Sequence, residues 1–192
     1  FKRSRSMRIL PNLVRGILPG GKLSLTLFVK ALFFYAKSYI GTAKLKRPLL
    51  LHRDLRFGVN RIYPSKDKVY FIDFEKAGTE KRWVFVDALV LAEATPLFYP
   101  DDNVLLGGFP RFYRKMIDGY WKKILAKDFG IKQEDYLTQL KVCLLSWSLR
   151  KIVKEKNIAG QQKEIKKFIK TVILGPKDNF YIWYKDLPYK YT

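Results

Sequence analysis

The sequence has 192 residues, of which 48% are apolar and 29% charged, a balance typical of a folded globular chain and not of a disordered one. The single cysteine, Cys143, excludes an internal disulfide and a cysteine-based zinc site, and the single histidine, His52, excludes a histidine-cluster metal site. The formal net charge of +21 favours a polyanionic partner, such as nucleic acid, an anionic membrane face or a phosphorylated substrate. The alternative is a lysine-rich solvated surface.

The N-terminal part predicts one long helix and a buried strand. A helix is expected from about Ser24 to Ile40, and its apolar residues occupy most of the circumference, which predicts packing on several sides. The apolar stretch Leu23–Ala36 contains Lys30 and falls short of the roughly 20 apolar residues that cross a bilayer. After Pro48, the run Leu49–Leu51 predicts a short buried strand.

The remainder predicts a hairpin followed by helices. Strands are expected at 61–63 and 69–73, with a turn at Pro64–Asp67 between them. Apolar spacing after Pro110 predicts an amphipathic helix to about Leu125. Two more helices are predicted, at Glu134–Lys156 and Gln161–Leu174. The aromatic C-terminal stretch, 179–191, is expected to pack onto the rest of the domain. The fold class is therefore α+β, mainly α-helical, with one small β-element.

Two carboxylates stand where these predicted strands end. Asp54 follows the buried strand, and Asp73 comes nineteen residues later, at the end of a second apolar strand. The hairpin between them can return the chain, so that both carboxylates face one cleft. Such a pair suits phosphoryl transfer, because one carboxylate can accept a hydroxyl proton and the other can hold Mg²⁺ on nucleotide phosphates. Arg56 could reach the transferred phosphate as a fixed cation.

The sequences HRDL and IDF resemble the catalytic loop and the metal-binding motif of the protein-kinase-like superfamily. The resemblance implies that Asp54 is the catalytic base and that His52 braces its loop. It also implies that Asp73 binds the metal, with ATP and Mg²⁺ as cofactors. Because Glu75 follows where protein kinases have glycine, this motif is closer to small-molecule kinases of the aminoglycoside and choline kinase type.

A second segment, KRWVFVDALVLAEAT, resembles the RW…DLA segment of the lipopolysaccharide core kinases, which phosphorylate Kdo or heptose. By this resemblance, Asp87 supports the site by anchoring the catalytic loop from the next helix. The fold implied is a kinase-like C-terminal lobe with a small β-hairpin that carries the catalytic and metal-binding loops.

The chain departs from the superfamily pattern in two places. The metal-binding asparagine should lie five residues after Asp54, where this chain has Val59; Asn60 is one step late. A one-residue bulge would bring Asn60 to the metal and nucleotide, and the alternative is a turn-forming asparagine. The residues before His52 also lack a nucleotide-binding lobe. The resemblance thus divides the chain into a basic N-terminal or hinge segment, 1–22, and a catalytic lobe, 23–192. The N-terminal lobe is expected upstream or from another chain.

These observations predict an ATP-dependent phosphotransferase that acts on a sugar hydroxyl, with a lipopolysaccharide inner-core sugar as first choice. Its partners would be an anionic sugar or lipid-linked substrate and an anionic membrane surface, which places it in the cytoplasm or at the inner face of the membrane. One alternative is a kinase for a small soluble alcohol. Another is a non-catalytic, pseudokinase-like scaffold whose charge serves RNA, although no RNA-recognition motif is visible.

Overall fold

The computed structural model describes residues 9–19, 21–41, 45, 48–52, 61–65, 68–80, 114–154 and 159–187. The N-terminal part contains two helices and four short strands: α1 (Ile9–Ile17), α2 (Leu25–Gly41), β1 (Leu49–Leu51), β2 (Arg61–Ser65), β3 (Lys68–Phe71) and β4 (Gly78–Glu80). The C-terminal part is helical: α3 (Arg114–Tyr120), a π-helical segment (Trp121–Ala126), α4 (Lys127–Phe129), α5 (Gln133–Lys154), α6 (Ala159–Phe168), a second π-helical segment (Ile169–Ile173) and α7 (Lys177–Lys185).

The predicted class, mainly α-helical α+β, is confirmed. Both long C-terminal helices are present and begin and end within two residues of the predicted bounds, counting the π-helical segment as part of α6 and allowing for positions 155–158, which lie outside the described residues. The amphipathic helix predicted from Pro110 is described from Arg114 onward, and its earlier positions also lie outside. No helix in the described ranges combines the length and the apolar character needed to cross a bilayer.

Helix α5 is the centre of the core. Every residue from Val142 to Leu149 is buried, including Cys143, and the Trp147 side chain is 0% exposed. Glu134 and Asp135 in its first turn complement the partial positive charge of the helix N-terminus. Helices α1, α2 and α6 all contact it. Because each fully buried large apolar side chain contributes about 1.5–3 kcal/mol, this helix accounts for much of the hydrophobic stabilisation.

The aromatic C-terminal stretch packs on the body, as predicted, over the part that is described. Phe180 and Tyr184 of α7 are buried. Tyr184 Oη donates a hydrogen bond to Asp118 Oδ1 of α3, and Arg114 Nη1 donates to the carbonyl oxygen of Lys185 at 2.9 Å. Burial, and then the hydrogen bond to Asp118, raise the pKa of Tyr184. These contacts fix α7 against α3.

Helix α2 corrects the prediction of packing on several sides. It begins after Ser24, whose Oγ accepts a hydrogen bond from the Leu27 N–H at 3.3 Å. Its buried residues are only Ala31 and Ser38, and large apolar side chains stay exposed along one face: Leu25, Val29, Phe33 and Ile40. The prediction was wrong for this face because α1 and α5, the helices that contact α2, cover only its other side.

Candidate active site

Strands β1 and β4 form the frame of the site. They pair antiparallel, with Leu49 opposite Glu80, Leu50 opposite Thr79 and Leu51 opposite Gly78. The predicted strand is present, but of its three residues only Leu51 is buried and Leu50 is exposed. His52 follows Leu51 directly. Since the end of β1 pairs with the start of β4, the residues just before Gly78 lie beside His52.

Strands β2 and β3 form an antiparallel hairpin, which lies between β1 and β4 in the sequence. Its antiparallel register places Arg61 opposite Phe71 and Ile62 opposite Tyr70. Strand β2 runs on through Pro64 to Ser65, a position that the sequence assigned to the turn. Proline is tolerated because each strand of a two-stranded sheet is an edge strand, and the register is irregular between Ile62 and Ser65. Strand β3 ends at Phe71, so Asp73 lies beyond it and not within it.

His52 connects the segment that follows β1 with the segment that follows β3. Its side chain is 5% exposed, and its Nε2 lies 2.7 Å from the carbonyl oxygen of Ile72. A carbonyl oxygen only accepts hydrogen bonds, so Nε2 carries the proton and donates it. The imidazole also lies near two aromatic rings, with centroid separations of 6.3 Å to Phe71 and 4.7 Å to Phe74. His52 therefore ties the segment after β1 to the residue that precedes Asp73.

Asp73 adopts a left-handed backbone conformation, with φ 60° and ψ 65°. Within the described ranges it is the only non-glycine residue with positive φ. This conformation costs an L-residue roughly 1–2 kcal/mol, and aspartate is among the few residue types that adopt it. Asp73 precedes a 3₁₀ turn, Phe74–Lys76, which the Ala77 N–H closes by donating to the Phe74 carbonyl at 2.9 Å. The carboxylate makes no capping hydrogen bond and is exposed.

The donor set at this turn fits a magnesium ion. Asp73 and Glu75 both present exposed carboxylates. No group of three His, Cys, Asp or Glu side chains assembles in the part of the chain that is described. Mg²⁺ does not require such a cage, because proteins usually bind it through one or two carboxylates together with substrate phosphates and water. Asp73 is therefore a chemically suitable metal ligand.

Exposed apolar residues flank Asp73 in the sequence, and their exposure was not predicted. Tyr70, Phe71, Ile72 and Phe74 all leave large fractions of their side chains accessible. The available signal was the run VYFIDF, in which apolar residues occupy consecutive positions. A strand points alternate residues to opposite faces, so a two-stranded hairpin cannot bury such a run on one face. We call these four residues the apolar rim.

Of the six predicted site residues, the structure places two. His52 and Asp73 are described, and the hydrogen bond to Ile72 brings their segments together. The other four, Asp54, Arg56, Asn60 and Asp87, lie outside the described residues. The convergence of the Asp54 and Asp73 carboxylates therefore stays a prediction.

Comparison of the chain with protein-family models, with curated proteins and with solved structures finds no match.

Proposed function

We propose that this protein is an ATP-dependent phosphotransferase that acts on a sugar hydroxyl, with a Kdo or heptose sugar of the lipopolysaccharide inner core as acceptor. The observation that carries the proposal is the hydrogen bond from His52 to the carbonyl of Ile72. It joins the HRDL and IDF segments, whose sequences suggested a kinase-like site. Asp54 follows His52 by two positions and Asp73 follows Ile72 by one.

The backbone of Asp73 supports a functional role for this turn. Residues held in sparsely populated backbone regions concentrate at active sites and ligand clamps, where neighbouring contacts maintain them. Here the neighbouring contact is the buried imidazole of His52, which holds Ile72 by a hydrogen bond and packs on Phe74. The result is an exposed carboxylate on a constrained backbone, which favours a ligand-binding role over a structural one.

The proposed reaction is an in-line transfer of the γ-phosphoryl group. The acceptor hydroxyl oxygen forms a bond to the γ-phosphorus, while the bond from that phosphorus to the oxygen bridging to the β-phosphate breaks and ADP leaves. Asp54 accepts the hydroxyl proton, and Arg56 offsets negative charge on the phosphoryl group as it moves. Asp73 and Asn60 would hold Mg²⁺, which supplies neutralisation of the nucleotide phosphates.

The apolar rim fits the proposal that a nucleotide-binding lobe covers this site. Exposed apolar side chains next to a carboxylate are groups that another protein unit can bury. In the proposed enzyme that lobe is supplied upstream in the same gene product or by another chain.

The charge of the chain supports the choice of acceptor. Inner-core sugars are anionic and lie at a membrane surface, where each nearby Lys or Arg contributes about 1 kcal/mol of attraction. A net charge of +21 suits such a substrate better than a small soluble alcohol. The proposed location is the inner face of the membrane.

The test is phosphate transfer from radiolabelled ATP to purified inner-core oligosaccharide, measured on the full-length gene product. We expect Asp54→Asn to lower kcat by about 10²–10⁴, the range for loss of a general base. Asp128→Asn, which removes an exposed carboxylate in the helical body, is the matched control and should leave the rate unchanged. Transfer by Asp54→Asn at the wild-type rate would show that the base is assigned wrongly. Faster transfer to choline or an aminoglycoside would show that the acceptor class is wrong.

A non-catalytic binding protein is the competing function, and Val59 at the expected metal-ligand position favours it. Thermal unfolding with and without Mg-ATP separates the two. A nucleotide that binds the folded state at one hundred times its dissociation constant stabilises it by about 2.7 kcal/mol, so the enzyme should unfold at a higher temperature. An unchanged unfolding temperature, together with RNA affinity that falls steeply with salt, would establish the binding protein instead.

A further inference from the structure

The exposed face of α2 carries a continuous apolar stripe. At about 100° per residue, Leu25, Val29, Phe33, Ala36 and Ile40 project within an arc of about 80°. The exposed fractions of the three largest are 70% for Leu25, 70% for Phe33 and 84% for Ile40. A helical stripe of this kind in contact with water marks a surface that another phase or molecule covers.

Two lysines border this stripe on one side. Lys30 and Lys37 are exposed and seven residues apart, so they project in nearly the same direction, roughly 40–60° from Phe33. Arg15 on the neighbouring helix α1 is also exposed. The sequence contains no Asp or Glu before Asp54, so no carboxylate of α1 or α2 offsets these charges.

The positive charge beside the stripe indicates which kind of partner covers it. A second copy of the chain would bring another positive surface against this one, since each copy carries a net charge of +21. The apolar stripe would favour that contact and the lysines would oppose it. An anionic bilayer satisfies both features, because its acyl region accepts the apolar side chains and its headgroup phosphates accept the lysines.

We propose that α2 lies in the plane of an anionic lipid bilayer. Leu25, Val29, Phe33 and Ile40 enter the boundary of the acyl region, and Lys30 and Lys37 contact the headgroups. With 17 residues the helix is about 25 Å long and rests along the surface. The inference extends the proposed function, on which it rests for the lipid-linked acceptor, by naming the surface that meets the membrane.

Vesicle flotation tests this placement without nucleotide or acceptor. The full chain should float with phosphatidylcholine vesicles that contain about 30% phosphatidylglycerol and should not float with phosphatidylcholine alone. The triple variant Val29→Ser, Phe33→Ser, Ile40→Ser should lower the partition coefficient at least about tenfold. Ile182→Ser, which removes an exposed apolar side chain on α7, is the matched control and should leave it unchanged.

A second pair of variants tests whether the positions of the α2 lysines matter. Lys30→Gln with Lys37→Gln should lower the partition coefficient about 30-fold. Lys163→Gln with Lys167→Gln removes the same charge from exposed positions on α6 and should change it less than about threefold, since the proposal places α2, and not α6, at the headgroups. Equal effects of the two pairs would overturn the proposal, because they would show attraction by net charge alone.

Other outcomes identify which proposal fails. A dimer in sedimentation velocity that Phe33→Ser dissociates would assign the stripe to a second copy and overturn the membrane placement. Phosphate transfer to soluble core oligosaccharide without vesicle flotation would overturn this inference and leave the proposed function standing. Flotation that depends on α2, without any phosphate transfer, would overturn the proposed function and leave the membrane placement of α2 standing.

Discussion

Helix α5 buries every residue from Val142 to Leu149, whereas the segment from Tyr70 to Phe74 exposes its apolar side chains and holds Asp73 in a left-handed conformation. In α5 these side chains are buried and mostly apolar, so their contribution is to the stability of the fold. Around Asp73 the local conformation is unfavourable and contacts from His52 help to maintain it. The difference separates the part of the chain that stabilises the fold from the part to which the proposed function assigns catalysis.

The largest difference between the effect on activity and the effect on stability is expected for Asp73→Asn. Asparagine also tolerates left-handed backbone, so the fold should be kept while the carboxylate that we propose as the metal ligand is lost. We expect phosphate transfer to fall at least about 100-fold, with the free energy of unfolding changed by less than about 0.5 kcal/mol. Transfer kinetics and urea unfolding measure the two quantities. A large loss of stability would place Asp73 among the structural residues and erase the contrast with α5.

The opposite pattern is expected for Trp147→Ala. This side chain is fully buried in α5, and its removal leaves a large cavity that should cost about 3–5 kcal/mol of unfolding free energy. Ile182→Ala, at an exposed position on α7, should cost less than about 0.5 kcal/mol. Urea unfolding of both variants gives the comparison, and similar losses would contradict the assignment of α5 as the centre of the core.

A smaller effect should show the conformational cost at Asp73. Glycine adopts positive φ without a side-chain clash, so Asp73→Gly should be more stable than Asp73→Ala by about 1 kcal/mol. Both variants lack the carboxylate, which makes them a matched pair for thermal unfolding. Equal stability of the two would show that the turn relaxes and that the backbone stores no strain.

The smallest effect concerns the contact between α3 and α7. Burial and the hydrogen bond to Asp118 raise the pKa of Tyr184 above that of an unfolded tyrosine, which is about 10. The folded state therefore keeps this proton more tightly, and the associated stability is complete below about pH 10 and is lost as the pH rises further. Tyr184→Phe should flatten the fall in unfolding temperature above about pH 10, although Tyr136, whose pKa burial also raises, will retain part of it. An unchanged alkaline slope in Tyr184→Phe would contradict this origin.

The sequence predicted the elements better than it predicted which faces they bury. The sequence located α5 and α6, which are long, and it indicated from aromatic composition that the C-terminal stretch packs on the body, without predicting that α7 is a helix. For α2 it predicted packing on several sides, because that helix is apolar around most of its circumference. Burial depends on how many neighbours pack around a helix, and local sequence carries no such count. Lys30 and Lys37, which project near Phe33 on the helix, were the available signal that this side of α2 stays exposed.

At the candidate site too, the sequence predicted some features and not others. The HRDL and IDF motifs indicated His52 and Asp73, and a hairpin between them was predicted from the strand pattern. The pairing of Leu51 with Gly78 and the left-handed backbone of Asp73 were not predicted. Both depend on contacts between segments more than twenty residues apart or on how a single turn closes, and periodicity does not encode either.

The central claim is that Asp54 and Asp73 act on one magnesium–nucleotide complex, and a double-mutant cycle in phosphate transfer tests it most directly. Residues that serve one catalytic unit are strongly non-additive. We expect Asp54→Asn combined with Asp73→Asn to be about as slow as the slower single variant. Losses that multiply across the two variants would show that the carboxylates act independently, and that result would contradict the shared site.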